Sequence, residues 1–332
     1  MTIIFHADDY GIIAEQARSI LALCDTRDGN GVLTSVSAFA NSPAFEESAT
    51  LATPYIERKS LKIGVHLNLV EGFPCSKATN VPLLVGERGA FCNDFTKLLM
   101  LSKGSQRVAL RSQIERECRA QIERFLAAFP AQRGTLRIDS HQHTHAIPLV
   151  FDALLAAVRA CGCTLEHVRT PVEPLSPHLA TATAVRRLSV INLAKDMLIS
   201  TLWRSNRGKL PTNCNTSLFC GVLLSGRMEL IDSNLVHEFE ILAAKRGGAC
   251  EIAADENKDA YPAEKHSPIK SERTCPPVEV LFHPVSVPRE QCLDPANEPF
   301  TQACTSSSRD AEAQALVRLR ETYRRPYIEE SI

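Results

Sequence analysis

Short apolar and β-branched runs recur along the chain and alternate with longer segments whose apolar residues repeat at helical spacing. The short runs predict strands at 2–5, 31–40, 61–69, 136–139, 165–169 and 278–282. The longer segments predict helices at 12–25, 44–52, 108–128, 147–160, 185–203, 230–245 and 309–322. Strands that alternate with helices of this length are typical of βα units in a mostly parallel sheet.

The number of βα units decides between α/β architectures. Six or seven units are more than a small doubly wound domain needs, and they favour an α/β fold of the (β/α)-barrel or distorted-barrel type. We therefore expect one catalytic domain over residues 1–332. The segment 253–277 is charged, contains proline and lacks periodicity, so we expect a surface insertion there.

Composition excludes several classes of protein. A net charge of −1 and a pI of about 6.8 give no indication of binding to nucleic acid or to an anionic membrane. No run approaches the roughly 20 apolar residues of a membrane span. The first apolar run is too short for a signal peptide, so we expect a cytoplasmic protein. The 12 cysteines form no CxxC pair, which favours scattered reduced thiols over disulfides or structural zinc.

Histidines and aspartates stand at the carboxyl ends of four predicted strands, in HADD, GVH, RIDSHQHTH and LFHP. In parallel βα architectures these strand ends converge on one mouth, where active sites form. Each motif alone has an ordinary structural explanation: Asp8 and Asp9 could cap a helix, and HQHTH could be a solvated turn. All four together predict a functional site.

Aspartate and histidine without cysteine suit a catalytic divalent metal that keeps a position open for water. One member of the pair Asp8–Asp9 could bind the ion while the other accepts a proton from that water. Adjacent strand residues point to opposite faces, so this arrangement predicts a bend after Ala7. The nearby Gly11 gives the backbone freedom to bend.

The motifs HADDYG, GVHLNLVEG, IDSHQHTH and FHP resemble, in order and rough spacing, those of the YdjC-like carbohydrate deacetylases. That family includes chitooligosaccharide deacetylases and hopanoid-associated glycosyl deacetylases. The resemblance covers residues 2–169, resumes at 278 and is weak over 180–276. It implies a (β/α)-barrel-like fold related to polysaccharide deacetylases. It also implies metal-assisted removal of an acetyl group from an N-acetylated sugar.

The same resemblance implies roles for individual residues. Three would be metal ligands: Asp9, His66 and His141. Two would be catalytic: Asp8 as the general base, and His283 as the general acid for the leaving amine or as an orienter of Asp8. Three more would contact substrate, line the pocket or brace the ligands: His143, His145 and Arg169.

This sequence departs from the family pattern at three positions near the site. His6 stands where asparagine is usual, Tyr10 where phenylalanine is usual, and Val285 where glycine is usual. His6 could add a competing ligand or only a hydrogen bond. Val285 could reshape the loop beside His283.

The implied cofactor is one divalent metal ion, with Mg²⁺ favoured by the resemblance and Zn²⁺ possible. The implied partner is a small carbohydrate, and a homodimer is the base-rate expectation. Two alternatives stay open: a metal-dependent hydrolase of a phosphoester or cyclic amide on the same barrel, and a non-catalytic carbohydrate- or metal-binding protein. A second carboxylate, Asp8, argues against the last, because a binding site does not need it.

Overall fold

The computed structural model describes residues 2–255 and 275–324, with the side chains of 184 and 248–255 excepted. Its strands are β1 (Ile3–Tyr10), β2 (Ser35–Ala38), β3 (Lys62–Leu67), β4 (Leu136–Ser140), β5 (Leu165–Val168), β6 (Leu218–Cys220) and β7 (Val278–Phe282). Its helices are α1 (Ala14–Ala22), α2 (Phe45–Glu57), α3 (Phe95–Leu101), α4 (Arg107–Ala128), α5 (Pro148–Ala160), α6 (Ser176–Ala180), α7 (Ala182–Val185), α8 (Val190–Trp203), α9 (Ser233–Asp255), α10 (Glu298–Thr305) and α11 (Ser307–Tyr323).

The strands form one seven-stranded sheet in the order β5-β4-β3-β2-β1-β7-β6, and every pairing is parallel. Parallel strands need long crossover connections, which the helices supply. The predicted α/β fold of parallel βα units is therefore confirmed.

A buried ion pair shows that this sheet is curled. Three strands lie between β5 and β1, so a flat sheet would hold them about 19 Å apart at roughly 4.8 Å per strand. Arg169, at the end of β5, nevertheless places Nη1 2.7 Å from Asp8 Oδ2 on β1. The sheet must curve strongly for these atoms to meet.

The curl brings the two outer strands of the sheet together. Asn215, just before β6, forms a parallel bridge with His167 of β5. The amide nitrogen of Asn215 donates to the carbonyl oxygen of Glu166 at 2.8 Å. The sheet is thus a distorted barrel, as the sequence predicts.

The two sides of the sheet differ in chemistry. The inner side carries polar and charged side chains at alternate positions of successive strands, including His6, Ser35, Ser37, Asp139 and Glu279, all buried. The helices cover the outer side with an apolar core that includes Ile20, Phe45, Ile114, Phe125 and Leu154. Charges therefore concentrate inside the barrel.

Six of the seven strands are at the predicted places, and β6 was missed. With only three residues, β6 is too short to show a pattern. β1 runs past the predicted end at residue 5, so the Asp8–Asp9 pair lies within its last residues. The short helices α3, α6, α7 and α10 were also not predicted. Most of the segment 253–277 lies outside the described residues, and the single-domain organisation stays a prediction.

Val285 has a backbone conformation that disfavours its side chain. Its φ is +72°, in the left-handed region, where a β-branched residue is an outlier. We therefore expect Val285→Gly to be more stable than Val285→Ala by about 1 kcal/mol, because both lose the two γ-methyl groups and only alanine keeps a Cβ in the left-handed conformation. Urea unfolding of the two variants measures this difference.

The control is the same pair of substitutions at Val287, a buried position that does not have a positive φ. There the alanine variant should be the more stable of the two, because glycine loses more backbone entropy on folding. The same order at both positions would contradict the interpretation of Val285.

Candidate metal-dependent active site

Asp8 and Asp9 both reach the same cavity because the end of β1 is irregular. The pairing of β1 with β2 shifts register between Ala7 and Tyr10, and Asp9 has φ of +59°. The bend predicted after Ala7 is thus confirmed. Gln16 stabilises it by donating Nε2 to the carbonyl oxygen of Asp9 at 3.0 Å.

Asp9, His66 and His141 form a compact triangle of ligand atoms. Asp9 Oδ1 lies 3.3 Å from His66 Nε2 and 3.3 Å from His141 Nδ1. The two imidazole nitrogens are 3.4 Å apart. Ligand atoms about 2.0–2.1 Å from a tetrahedral ion lie roughly 3.3 Å from one another. The three residues therefore fit one divalent ion.

The Asp9 carboxylate gives a second indication of an ion site. Its Oδ1 is buried and has no hydrogen-bond partner within the described residues. A buried carboxylate oxygen without a partner is costly unless a cation occupies the space in front of it. The other oxygen, Oδ2, accepts a hydrogen bond from Arg309 Nη2 at 2.5 Å.

Asp139 orients His66 for this role. Its Oδ1 lies 2.5 Å from His66 Nδ1, which turns Nε2 towards Asp9. A carboxylate behind a ligand histidine is the usual way to set its tautomer and ring orientation. Burial lowers the pKa of His66, but the charges of Asp8 and Asp139 outweigh it and raise that pKa to about 10. The surroundings of this imidazole thus favour a positive charge, whether a proton or a metal ion.

Asp8 is held as a carboxylate by a bidentate ion pair. Arg169 donates Nη1 to Oδ2 at 2.7 Å and Nη2 to Oδ1 at 2.8 Å. Ser37 and His6 approach Oδ1 at 3.1 Å each. Burial raises the pKa of Asp8, but Arg169 and His66 outweigh it and hold the pKa well below its usual value. Asp8 is therefore ionised at neutral pH.

Arg169 lies behind the site and not at the cavity surface. It is fully buried, and besides Asp8 it contacts Glu279 Oε1 at 2.6 Å and Asp139 Oδ2 at 3.0 Å. Phe219 of β6 stacks against its guanidinium at 5.4 Å. The substrate contact expected for Arg169 is not available in this position. Its contacts make it the counter-ion of three buried carboxylates.

The remaining predicted residues divide between the cavity and its support. His283 and His143 line the cavity, and His283 Nε2 lies 3.9 Å from Asp8 Oδ2. Burial lowers the pKa of His283 to about 4, so its imidazole is neutral at pH 7. His145 is fully buried between Ser140 Oγ and the carbonyl oxygen of Arg169, at 2.5 and 2.9 Å, and therefore braces the strand ends.

Some residues of the site had no role assigned to them from the sequence. Asp139 lies in the quoted motif IDSHQHTH, and its position at a strand end was a usable signal. Arg309 and Glu312 of α11 had no signal, although Arg309 pairs with Asp9 and Glu312 accepts the amide hydrogen of His283 at 2.5 Å. His6, for which the sequence left open a metal ligand or only a hydrogen bond, hydrogen-bonds Ser35 at 2.9 Å and contacts Asp8 and Asp139, so it belongs to the support of the site.

The cavity that these residues line has a volume of about 510 Å³. Asp8, Asp9, His66 and His141 form its floor, and Lys195 of α8, the glycines around 221–226 and the α10–α11 corner form its walls. This volume is in the range of sites that bind small molecules.

Comparison with known proteins decides the family. The family model described as YdjC-like protein matches residues 2–320. The chain belongs to the YdjC-like family. The relationship inferred from the four motifs is thereby confirmed, and the family match extends across the segment 180–276, where the motifs gave little support.

Curated relatives of this YdjC-like chain carry deacetylase names. It is 35% identical to a carbohydrate deacetylase of Geobacillus stearothermophilus over 172 residues, which cover 52% of this chain and 59% of the relative. It is 33% identical to a carbohydrate deacetylase of Mus musculus over 168 residues, 50% of this chain and 49% of the relative. It is 31% identical to a chitooligosaccharide deacetylase of Yersinia pestis over 171 residues, 52% and 61% of the two chains.

These matches span only about half to three fifths of the relatives' length. A crystal structure from Enterococcus faecalis, which carries the provisional name of a cellobiose-phosphate cleavage protein, matches with a TM-score of 0.52 and 19% identity. The match covers 96% of this chain and 94% of that one, and it supports the fold.

Removal of Arg169 tests its role as the counter-ion of Asp8, Asp139 and Glu279. Arg169→Gln leaves three buried carboxylates without their cation, and we expect the free energy of unfolding to fall by about 3–5 kcal/mol. Urea unfolding measures the loss. The matched control is Arg18→Gln, which removes an exposed arginine 2.9 Å from Glu47 and should cost less than about 1 kcal/mol. Equal losses for the two variants would contradict the role assigned to Arg169.

Proposed function

We propose that this protein is a carbohydrate deacetylase that hydrolyses the acetamido group of an N-acetylated sugar with the help of one divalent metal ion. The observation that carries the proposal is the Asp9–His66–His141 triangle beside the ionised carboxylate of Asp8, on the floor of the cavity. The deacetylase names of the relatives agree with this chemistry.

Asp9, His66 and His141 would hold the ion. When bound, it would polarise the acetyl carbonyl, lower the pKa of a water molecule and stabilise negative charge on the oxyanion. Two imidazole donors are more usual for zinc than for magnesium, which prefers oxygen ligands. The donor set therefore gives Zn²⁺ more weight than the family resemblance alone does.

We assign Asp8 and His283 to the transfer of protons. Asp8 is an ionised carboxylate that lines the cavity beside the ligand triangle without being part of it, and it is suited to accept a proton from water. His283 is neutral in the resting protein and 3.9 Å from Asp8. A proton passed from Asp8 to His283 can then be donated to the amine nitrogen as the C–N bond breaks, which releases acetate and a free amino sugar.

Arg169 acts in this proposal as a positioning residue. Its two hydrogen bonds to Asp8 fix the plane of the carboxylate and keep it ionised. His143 stays a proposed substrate contact, because it lines the cavity and its Nδ1 has no partner among the described residues. His145 supports the site from behind.

Asp8→Asn separates catalysis from metal binding. We expect turnover to fall by about 10²–10⁴-fold, because the amide cannot accept the proton, while one metal ion per chain is still bound. Acetate release and metal content of the purified variant measure the two effects. Asp152→Asn, a partly exposed position paired with Lys209, is the control and should keep full activity. His66→Ala should lose both metal and activity. Unchanged turnover in Asp8→Asn would exclude Asp8 as the base.

Chelation followed by reconstitution tests the proposed reaction itself. The purified chain is treated with chelator and assayed for acetate release from di-N-acetylchitobiose, alone and with Mg²⁺ or Zn²⁺ restored. We expect activity to disappear on chelation and to return with one of the two ions. A chain that binds one ion and releases no acetate with either would move the proposal to another hydrolysed bond.

A further inference from the structure

The outward face of α8 is apolar, although the usual pattern puts polar residues there. Val190, Ile191, Met197 and Leu198 are 82%, 79%, 70% and 43% exposed. Their spacing places them on one side of the helix, together with the exposed Ala194 and Thr201. We call these six residues the α8 stripe. Single exposed apolar residues are ordinary, but a contiguous stripe of this kind marks an interaction surface.

The chain around the stripe is strongly basic. Residues 175–209 contain six lysines and arginines and one aspartate. Arg186 precedes the stripe, and Arg204 and Arg207 follow it; all three are exposed and form no ion pair within the described residues. The net charge of the whole chain is −1 and does not show this local excess of positive charge. The argument from net charge against binding to an anionic membrane therefore does not apply to this face.

A neighbouring cleft extends the same surface. Between the end of α8 and the start of α4 lies a cleft of about 550 Å³, whose walls include Leu202 and Val108. Val108 is 75% exposed. Lys103 and Arg107 also line the cleft, and both side chains are exposed. Apolar side chains with a cationic border thus continue from α8 onto α4.

The inner face of α8 fixes the helix in place. Asn192 donates Nδ2 to the carbonyl oxygens of Leu223 and Ser225 at 3.1 Å each, and Lys195 contacts Ser225 Oγ at 3.2 Å. Lys195 also lines the cavity. One helix therefore forms a wall of the cavity with one face and presents an apolar stripe to solvent with the other.

We propose that the α8 stripe and its basic border bind the surface of an anionic lipid bilayer, with α8 lying in the plane of the interface. Apolar side chains on one face with lysine and arginine beside them are the features of helices that lie on membranes. Each basic residue near an anionic surface adds to the attraction. Among the described residues no helix is long and apolar enough to cross a bilayer. A helix that lies in the interface does not have to span the bilayer.

A second copy of the chain fits this surface less well. In a symmetric dimer the same patch meets itself, so Arg186, Arg204 and Arg207 of one copy would face the same cations of the other. Like charges in such contacts are unfavourable. The proposal concerns the α8 surface alone and does not depend on the deacetylase assignment.

Vesicle flotation with the full chain tests the proposal. The vesicles contain either phosphatidylcholine alone or phosphatidylcholine with 30% phosphatidylglycerol. We expect at least tenfold stronger binding to the anionic vesicles, and a loss of that binding in high salt. The double variant Ile191→Glu with Met197→Glu should bind at least tenfold more weakly. Both positions are largely exposed, so the fold should tolerate the change.

The control variant adds the same two charges elsewhere. Thr50→Glu with Gln314→Glu places them on exposed positions of α2 and α11, and it should bind vesicles like the unmodified chain. Absence of vesicle binding, equal binding to both vesicle types, or equal losses in the two double variants would overturn the proposal. Light scattering adds one more outcome: a dimer that only the α8 variant converts to monomer would make the stripe an interface between copies, contrary to the proposal.

Discussion

The guanidinium of Arg169 is the interaction on which the inside of this barrel depends. It lies among three carboxylates from three strands, those of Asp8, Asp139 and Glu279. An isolated buried carboxylate would be neutralised or would destabilise the fold, so the strands could not carry these charges without a central cation. With it, Asp8 stays ionised beside the cavity and Asp139 stays free to orient His66. Arg169 therefore stabilises both the curl of the sheet and the charged groups of the candidate site.

The hydrophobic periodicity of the chain and the polar residues at strand ends predicted the sheet and the residues that share the cavity. The pattern of β–α units was sufficient to predict the parallel sheet and its barrel form. Strands and helices have different hydrophobic periods, and each period can be recognised within a short stretch of the chain. Clusters of histidine and aspartate at strand ends were sufficient to bring Asp8, Asp9, His66 and His141 to one cavity. That step needed only the rule that parallel strands end at the same side.

What the sequence did not predict depends on contacts between distant segments. Arg309 lies in the last described helix and resembles any helical arginine until α11 is placed against Asp9. Arg169 follows a strand like the true cavity residues, and only the curl of the sheet turns it inwards, where it meets Asp8. The strand β6 has three residues, and its existence depends on pairing with β7. Such features follow from the closed architecture and have no local pattern.

The contacts of α11 have a consequence for synthesis on the ribosome. Asp8, Asp9, His66 and His141 all precede residue 142, whereas Arg309 and Glu312, which contact Asp9 and His283, are translated later and leave the exit tunnel after them. Chains fold from the amino terminus as they emerge. A nascent chain that contains these four residues but not yet α11 thus lacks the cation that compensates Asp9, and the pocket reaches full charge balance only after α11 has emerged.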